Sequence, residues 1–158
     1  MSPTLSPLAP EDFPEWLERS TREYASDLVS LGNTREAAEQ KARTTLLGAF
    51  PEGHPTAENA VFHVKDEGSS VIGYAWVGRD YSEDPTAWWV WDILIEAEHR
   101  GKGYGRAGMQ LAEGYARSHG AATLGLSVFG FNTSARKLYD SLGYETTSIK
   151  MRKNLAID

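Results

Sequence analysis

The sequence predicts an α/β (α+β) fold, a mixed and mostly antiparallel central sheet with helices on both faces. Three observations predict it. Two helical stretches come first, at about 12–31 and 33–47. Two apolar runs joined by a tight turn follow, at 60–65 and 71–78. A third apolar run, Trp88–Ile95, then feeds a glycine-rich turn, after which the chain alternates helix, strand, helix and strand. Helices, then a hairpin, then β-α-β-α-β is the order of a sheet packed between helical layers. At 158 residues, a single domain over 1–158 holds all of these elements.

Residues 1–10 carry Pro3, Pro7 and Pro10 and read as an extended lead-in. From about Asp12, Phe13, Trp16, Leu17, Tyr24, Leu28 and Leu31 recur at helical spacing. Pro14 sits in the first turn, where a missing N–H costs little, and Gly32 follows as a C-terminal cap. Asn33 is placed to cap a second helix, with Glu36 three residues on. That helix has Leu46 and Leu47 on its inner face, and the loop Phe50–Pro55 ends it.

Ala60–Lys65 and Val71–Gly78 read as a hairpin around the turn Asp66–Ser69. Arg79–Thr86 is a polar loop. Trp88–Ile95, aromatic and β-branched, reads as a buried central strand. A helix is expected from about Gly103 to His119, with Ala107, Leu111, Ala112 and Tyr115 inward. A strand at Thr123–Val128, a short helix at Thr133–Ser141 and a strand at Tyr144–Met151 complete the chain.

Composition excludes several classes. The chain has no cysteine, which removes disulfides, thiolate metal sites and a cysteine nucleophile. A net charge of −6 argues against a nucleic-acid surface and is compatible with cationic substrates. No run approaches the roughly 18 apolar residues of a membrane span, and the first residues lack a basic and apolar leader. A cytoplasmic protein with no membrane or nucleic-acid partner is expected. His54, His63, His99 and His119 lack metal-ligand spacing, so no metal is assigned.

The turn after the central strand is the densest signal. Arg100, Gly101, Lys102, Gly103, Tyr104, Gly105 and Arg106 join a strand to a helix start. A helix start offers unpartnered N–H groups at the positive end of its dipole, and glycines let a phosphate approach them. Arg100, Lys102 and Arg106 add charge. The expectation is a phosphate or pyrophosphate site; the alternative is a plain tight turn. Neither the P-loop order nor the Rossmann Gly-x-Gly-x-x-Gly order is met.

Arg100-x-x-Gly103-x-Gly105 resembles the Arg/Gln-x-x-Gly-x-Gly/Ala signature of the GCN5-related N-acetyltransferase (GNAT) superfamily. Ile95–Gly101 looks like that family's lead-in, with Ala97 where proline is usual. A second block, Asn132-x-x-Ala135-x-x-Leu138-Tyr139 followed by Leu142-Gly143-Tyr144, is similar to the family's downstream segment. The close resemblance covers about residues 60–153, and the first 55 residues match in general pattern only.

The resemblance implies acetyl-coenzyme A as cosubstrate, its pyrophosphate on residues 100–106, and a central strand splayed from its parallel neighbour. The backbone of Ile93, Leu94 and Ile95 would then face the acetyl group, beside a gap bounded by Leu126–Val128. It implies that residues 12–55 cover an acceptor pocket, and that Tyr139 is the general acid for the departing thiolate. It also implies that Asn132 contacts the pantetheine arm. Homodimers are common in the family.

Alternatives stand beside these roles. Tyr139 can instead pack on the sheet with its hydroxyl at the surface, and Asn132 can simply cap the short helix. Arg136 and Lys137 either reach coenzyme phosphates or form a solvated face. Asp92 interrupts an apolar strand, where a charge is costly without a partner or a task. It can bind the acceptor's ammonium, take its proton, or bond to a neighbouring strand. Simple alternation puts it on the face of Trp88 and Val90. Trp76, Trp88, Trp89 and Trp91 are expected in the core, with one or two at the acceptor.

The expected activity is N-acetyl transfer from acetyl-coenzyme A to a primary amine of a small molecule or peptide. A non-catalytic acyl-coenzyme A sensor on the same fold and a nucleotide-binding protein are the competing classes.

Overall fold

The structure, a computed structural model, describes residues 2–156. They divide into two compact units, one up to Leu126 and the other from Ser127 onward.

The first unit runs β1 (Thr4–Pro7), α1 (Phe13–Ser30), α2 (Arg35–Ala49), β2 (Asn59–Lys65), β3 (Val71–Arg79), β4 (Ala87–Ile95), α3 (Tyr104–Ser118) and β5 (Thr123–Leu126). Among the described residues the strands form one sheet in the order β1-β2-β3-β4-β5. The first three pairings are antiparallel and the β4–β5 pairing is parallel, so the sheet is mixed and mostly antiparallel. The lead-in is not merely extended. Thr4–Pro7 pairs with Phe62–Lys65, and an edge position is where a strand tolerates proline.

Helices cover both faces. On one face, Phe13 and Trp16 of α1 and Leu46 of α2 join Phe50, Val61, Tyr74 and Trp76 in a buried cluster. Trp16 stands edge-on to Phe50, Tyr74 and Trp76, with ring centroids 5.7, 6.0 and 5.5 Å away. Edge-to-face pairs at these distances add to area burial. Truncating Trp16 removes the ring shared by all three contacts. Trp16→Ala is expected to destabilise the protein by about 3–5 kcal/mol, read as a lowered midpoint in urea unfolding.

On the other face, α3 presents Tyr104, Gly108, Met109, Ala112 and Ala116, all buried. The inner face is therefore turned from the expected one. Of the four expected inward residues only Ala112 is fully buried, while Ala107, Leu111 and Tyr115 are partly exposed. Small residues bring the helix close: a Cβ built on Gly108 would lie 3.2 Å from Cδ1 of Ile93.

Local caps also differ from expectation. Thr34, not Asn33, caps α2, its side chain accepting from the amide of Ala37. Asn33 instead donates through Nδ2 to the carbonyl of Leu28 and closes the end of α1. Leu31 lies just past that end and is 38% exposed rather than inward.

The second unit holds α4 (Thr133–Ser141), whose bounds are those expected. The strand expected at Tyr144–Met151 is not formed among the described residues. Its Ile149 and Met151 alternate with charged residues, but they are 75% and 90% exposed. Alternation describes a strand only when a neighbouring ladder covers one face, and here no strand pairs with the segment. Ser127 and Val128 likewise lie beyond β5, which stops at Leu126.

Candidate active site

The parallel β4–β5 ladder runs from Ala87↔Thr123 to Val90↔Leu126 and ends there. β4 continues to Ile95, its later residues paired with β3 alone among the described residues. Ile93, Leu94 and Ile95 thus sit on a strand whose other edge has lost its ladder.

At the end of β4 the chain turns into α3. Gly101 and Gly103 take φ of +76° and +87°, the left-handed region that glycine enters without a Cβ penalty. Gly103 is the N-cap of α3, and the first helical bond runs from the amide of Ala107 to the carbonyl of Gly103. The amides of Tyr104 and Gly105 precede that bond, at the positive end of a helix of 15 residues. Gly101, Lys102, Gly103 and Arg106 are exposed around it.

Two members of the turn have structural tasks. Arg100 donates through Nε to the carbonyl of Ile95 at 2.7 Å and closes the turn against the strand. The side chain of Tyr104 is buried, and its hydroxyl donates to Glu67 at 3.2 Å. Its contribution to an anion would come from its backbone amide.

Asp92 does not lie on the face of Trp88 and Val90. Trp88 packs toward α3, near Tyr115 and His119, whereas the Asp92 carboxylate meets the Tyr74 hydroxyl on the α1 side. The reason is a β-bulge. Trp76 pairs with Asp92 and Val77 with Val90, leaving Trp91 as the extra residue. One extra residue reverses the alternation beyond it, and bulges are frequent beside active sites because they re-aim side chains. Trp91 and Asp92 consequently lie on one face.

That face carries a charged network. Arg19 of α1 grips Glu96 through Nη1 and Nη2 at 2.9 and 2.6 Å, and donates through Nε to Glu23 at 3.0 Å. The Tyr74 oxygen lies 2.8 Å from Oε2 of Glu23 and 2.9 Å from Oδ2 of Asp92. Burial pushes the Asp92 carboxyl up to about 6, and the nearby charges of Glu23 and Asp27 add to this. Hydrogen bonds from the Tyr74 hydroxyl and the Ile93 amide act the other way. Asp27 is also raised, by burial and then by Glu23. Glu96 is held below the usual carboxylate range by its bond to Arg19.

On the same face as Asp92, but not lined by it, a small cavity of about 170 Å³ is walled by Trp76, Trp91, Tyr81 and Asn59. Trp76 and Trp91 are the tryptophans that line it, and the Trp89 ring lies 5.9 Å from that of Trp91. Trp88 is core against α3, and the Trp89 ring lies over Gly125, where a Cβ would come within 2.2 Å of it.

In the second unit, Asn132 caps α4 by accepting from the amide of Ala135 at 3.2 Å. Arg136 donates to the carbonyl of Gly130 at 3.1 Å, a contact within its own unit. Tyr139 lies edge-on to Tyr144, with centroids 6.0 Å apart.

The Acetyltransferase (GNAT) family matches residues 11–144 of the chain. The chain belongs to this GNAT acetyltransferase family. It is 28% identical over 156 residues to the uncharacterized N-acetyltransferase YycN of Bacillus subtilis, covering 98% of this chain and 100% of YycN. It is 26% identical to the uncharacterized N-acetyltransferase YdgE of the same organism, over 98% of this chain and 99% of YdgE. The crystal structure of YycN superposes with a TM-score of 0.90 over 99% of this chain and 100% of that one. A solved structure from Pyrococcus furiosus, 22% identical, shares the fold with a TM-score of 0.66 over 98% of this chain and 100% of that one.

GNAT acetyltransferases use acetyl-coenzyme A as cosubstrate, and the turn after β4 fits its diphosphate. The α3 amides and the cations of Lys102 and Arg106 are the donors an anion needs. Gly101 and Gly103 keep the approach free of side chains. Among the described residues no group of His, Cys, Asp or Glu is arranged to hold a metal, and no helix is long and apolar enough to cross a membrane. Sequence reasoning missed Arg19, Glu23 and Tyr74 in this GNAT chain. Arg19, Glu23 and Asp27 repeat every four residues on α1, so one face was there to be read. Tyr74 was hidden inside an apolar strand.

Proposed function

We propose that this acetyltransferase moves an acetyl group from acetyl-coenzyme A directly to a primary amine of a small molecule or peptide. The observation that carries the reading is the bulge that turns Asp92 onto the α1 face, beside the unladdered end of β4. A carboxyl titrating near 6 is mostly ionised at neutral pH yet basic enough to take a proton. Asp92 removes a proton from the acceptor's ammonium, leaving a neutral nitrogen to attack the acetyl carbon. Backbone amides at Ile93–Ile95 polarise the acetyl oxygen, a contribution of about 3–4 kcal/mol when such a donor is well aimed. The amides of residues 103–105, with Lys102 and Arg106, hold the diphosphate. The aromatic cavity beside Trp91 receives the apolar part of a small acceptor.

Tyr139 is the proposed general acid for the leaving sulfur, and Asn132 the proposed contact to the pantetheine arm beyond its capping bond. The family resemblance of the Asn132–Tyr144 block supports both. Tyr139→Phe is expected to lower kcat about 10²-fold while leaving coenzyme A affinity, measured calorimetrically, within a factor of two or so. Equal turnover in the two proteins would remove the acid role. The reading as a whole is tested by incubating the protein with acetyl-coenzyme A and a primary-amine library and following free thiol. Tight coenzyme A binding with no amine-dependent thiol release would instead favour a non-catalytic acyl-coenzyme A sensor.

A further inference from the structure

Tyr74 is 3% exposed, and its hydroxyl oxygen lies within hydrogen-bond distance of two carboxylates on different elements, Asp92 on β4 and Glu23 on α1. A phenol carries one hydrogen. Two oxygen–oxygen contacts of 2.8 and 2.9 Å are satisfied together only when a second hydrogen resides on one of the carboxyls. The three groups therefore form a unit that holds one proton or two. Its ends differ in environment. The Asp92 carboxyl lies beside the unladdered part of β4, where burial is the main influence on it, whereas the Glu23 side chain is 35% exposed at the protein surface. Arg19 bonds the other Glu23 oxygen and, through its two-pronged grip on Glu96, keeps Glu23 aimed at Tyr74.

We propose that Tyr74 and Glu23 are a proton relay that carries the acceptor's proton from Asp92 to solvent. The inference rests on Asp92 being the base and goes beyond it by assigning the proton's exit. The bookkeeping closes on one proton. An N–H bond of the ammonium breaks and an O–H bond forms on Asp92. That hydrogen then passes to the Tyr74 oxygen while the Tyr74 hydrogen passes to Oε2 of Glu23. Glu23 releases it to water, and Tyr74 is left a neutral phenol whose hydrogen faces Asp92 and rotates back toward Glu23 before the next proton is passed. Tyr74 never exists as a free phenolate, consistent with burial and the adjacent Asp92 and Glu23 charges, which hold it protonated far above the usual phenol range. The charged and titratable groups facing the unit are Arg19 and Asp27 of α1, besides Glu23 itself, and Glu96 just after β4. Neither Tyr74 nor Glu23 touches the reacting atoms, and both act through Asp92.

Two measurements test this on the full-length protein. In protein labelled with carbon-13 at the aspartate and glutamate carboxyls, the Asp92 signal is assigned by its loss in Asp92→Asn. Its titration is expected to show two steps, both belonging to the coupled unit, and to collapse to one step in Tyr74→Phe and in Glu23→Gln. A single step unchanged in both variants would overturn the relay, and this readout needs no acceptor. Turnover is then followed with acetyl-coenzyme A and spermidine, 2-phenylethylamine, glucosamine or glycine ethyl ester. Glu23→Gln and Tyr74→Phe are expected to lose about 10- to 100-fold in kcat with KM for acetyl-coenzyme A unchanged. Added imidazole is expected to restore part of the rate in Glu23→Gln and to leave the wild type unaffected. Full activity in both variants beside an inactive Asp92→Asn would overturn the relay and leave the base standing. Full activity in Asp92→Asn would overturn the base assignment itself.

Discussion

Asp92→Asn is expected to lower kcat/KM for any accepted amine by about 10²–10⁴-fold, the largest effect of any single substitution in this protein. Asparagine keeps the shape and still accepts from the Tyr74 hydroxyl, so the loss isolates the proton-accepting role. The pH profile gives the same assignment independently. In the wild type kcat/KM should rise as pH passes through about 6, where Asp92 ionises. In the variant that step should vanish, and a rise near 6 that persists in Asp92→Asn would move the base elsewhere.

The same substitution should stabilise the fold at neutral pH. The ordinary Asp value is 3.8 and the folded value is about 6, so the folded state holds this proton more tightly than the unfolded chain. Stability from this group is complete below about 4 and is lost as pH rises to about 6, by about 1–3 kcal/mol once partial exposure is allowed for. Asparagine never ionises and escapes that loss. The variant should therefore melt several degrees higher than the wild type at pH 7 while being nearly inactive, and the gap should close at pH 4. A group that destabilises the fold and raises the rate is the opposite of a residue kept for packing.

The strands and helices of the first unit are legible in the sequence because each buries one face and repeats with its own period. The hairpin, the central strand and both helix-bounding glycines follow from this. The face of Asp92 does not. It depends on whether β4 carries one residue more than β3 between two matched pairs, and nothing local in Trp88–Ile95 announces the bulge at Trp91. One such residue moves a carboxylate across the sheet, from the side of α3 to the side of α1. The charged network shows a different gap. Arg19, Glu23 and Asp27 share a helix face plainly enough, but their partners Tyr74 and Glu96 lie far away in the chain. The glycine turn is the strand-to-helix junction its residues predict, yet Arg100 and Tyr104 point to Ile95 and Glu67. Those contacts depend on the register of β3 and β4 rather than on the motif. Tyr144–Met151 marks the limit of periodicity, since alternation cannot say whether a neighbouring strand will be there.

Gly73→Ala is expected to lower both stability and activity, although it adds a single methyl group. Gly73 pairs with Ile95 across the β3–β4 ladder. A Cβ built there would lie 2.0 Å from the carbonyl oxygen of Leu94 and 3.1 Å from Cα of Ile95. The obstruction is backbone, so no rotamer change relieves it, and one of the two strands must move. Overpacking of this kind costs about 1–3 kcal/mol or somewhat more. The displaced segment is Leu94–Ile95, the part of β4 proposed to aim its amides at the acetyl oxygen, and a misplacement of about 1 Å there can cost about 10²-fold in rate. Gly114→Ala is the control. It sits in α3 with nothing within 4 Å of its built Cβ, so alanine there should stabilise by about 0.5–1 kcal/mol and leave kcat alone. Comparing the two variants by urea unfolding and by turnover at a temperature where both are folded separates a steric effect at β4 from general glycine replacement. Wild-type turnover in folded Gly73→Ala would mean that the end of β4 does not set the acetyl geometry.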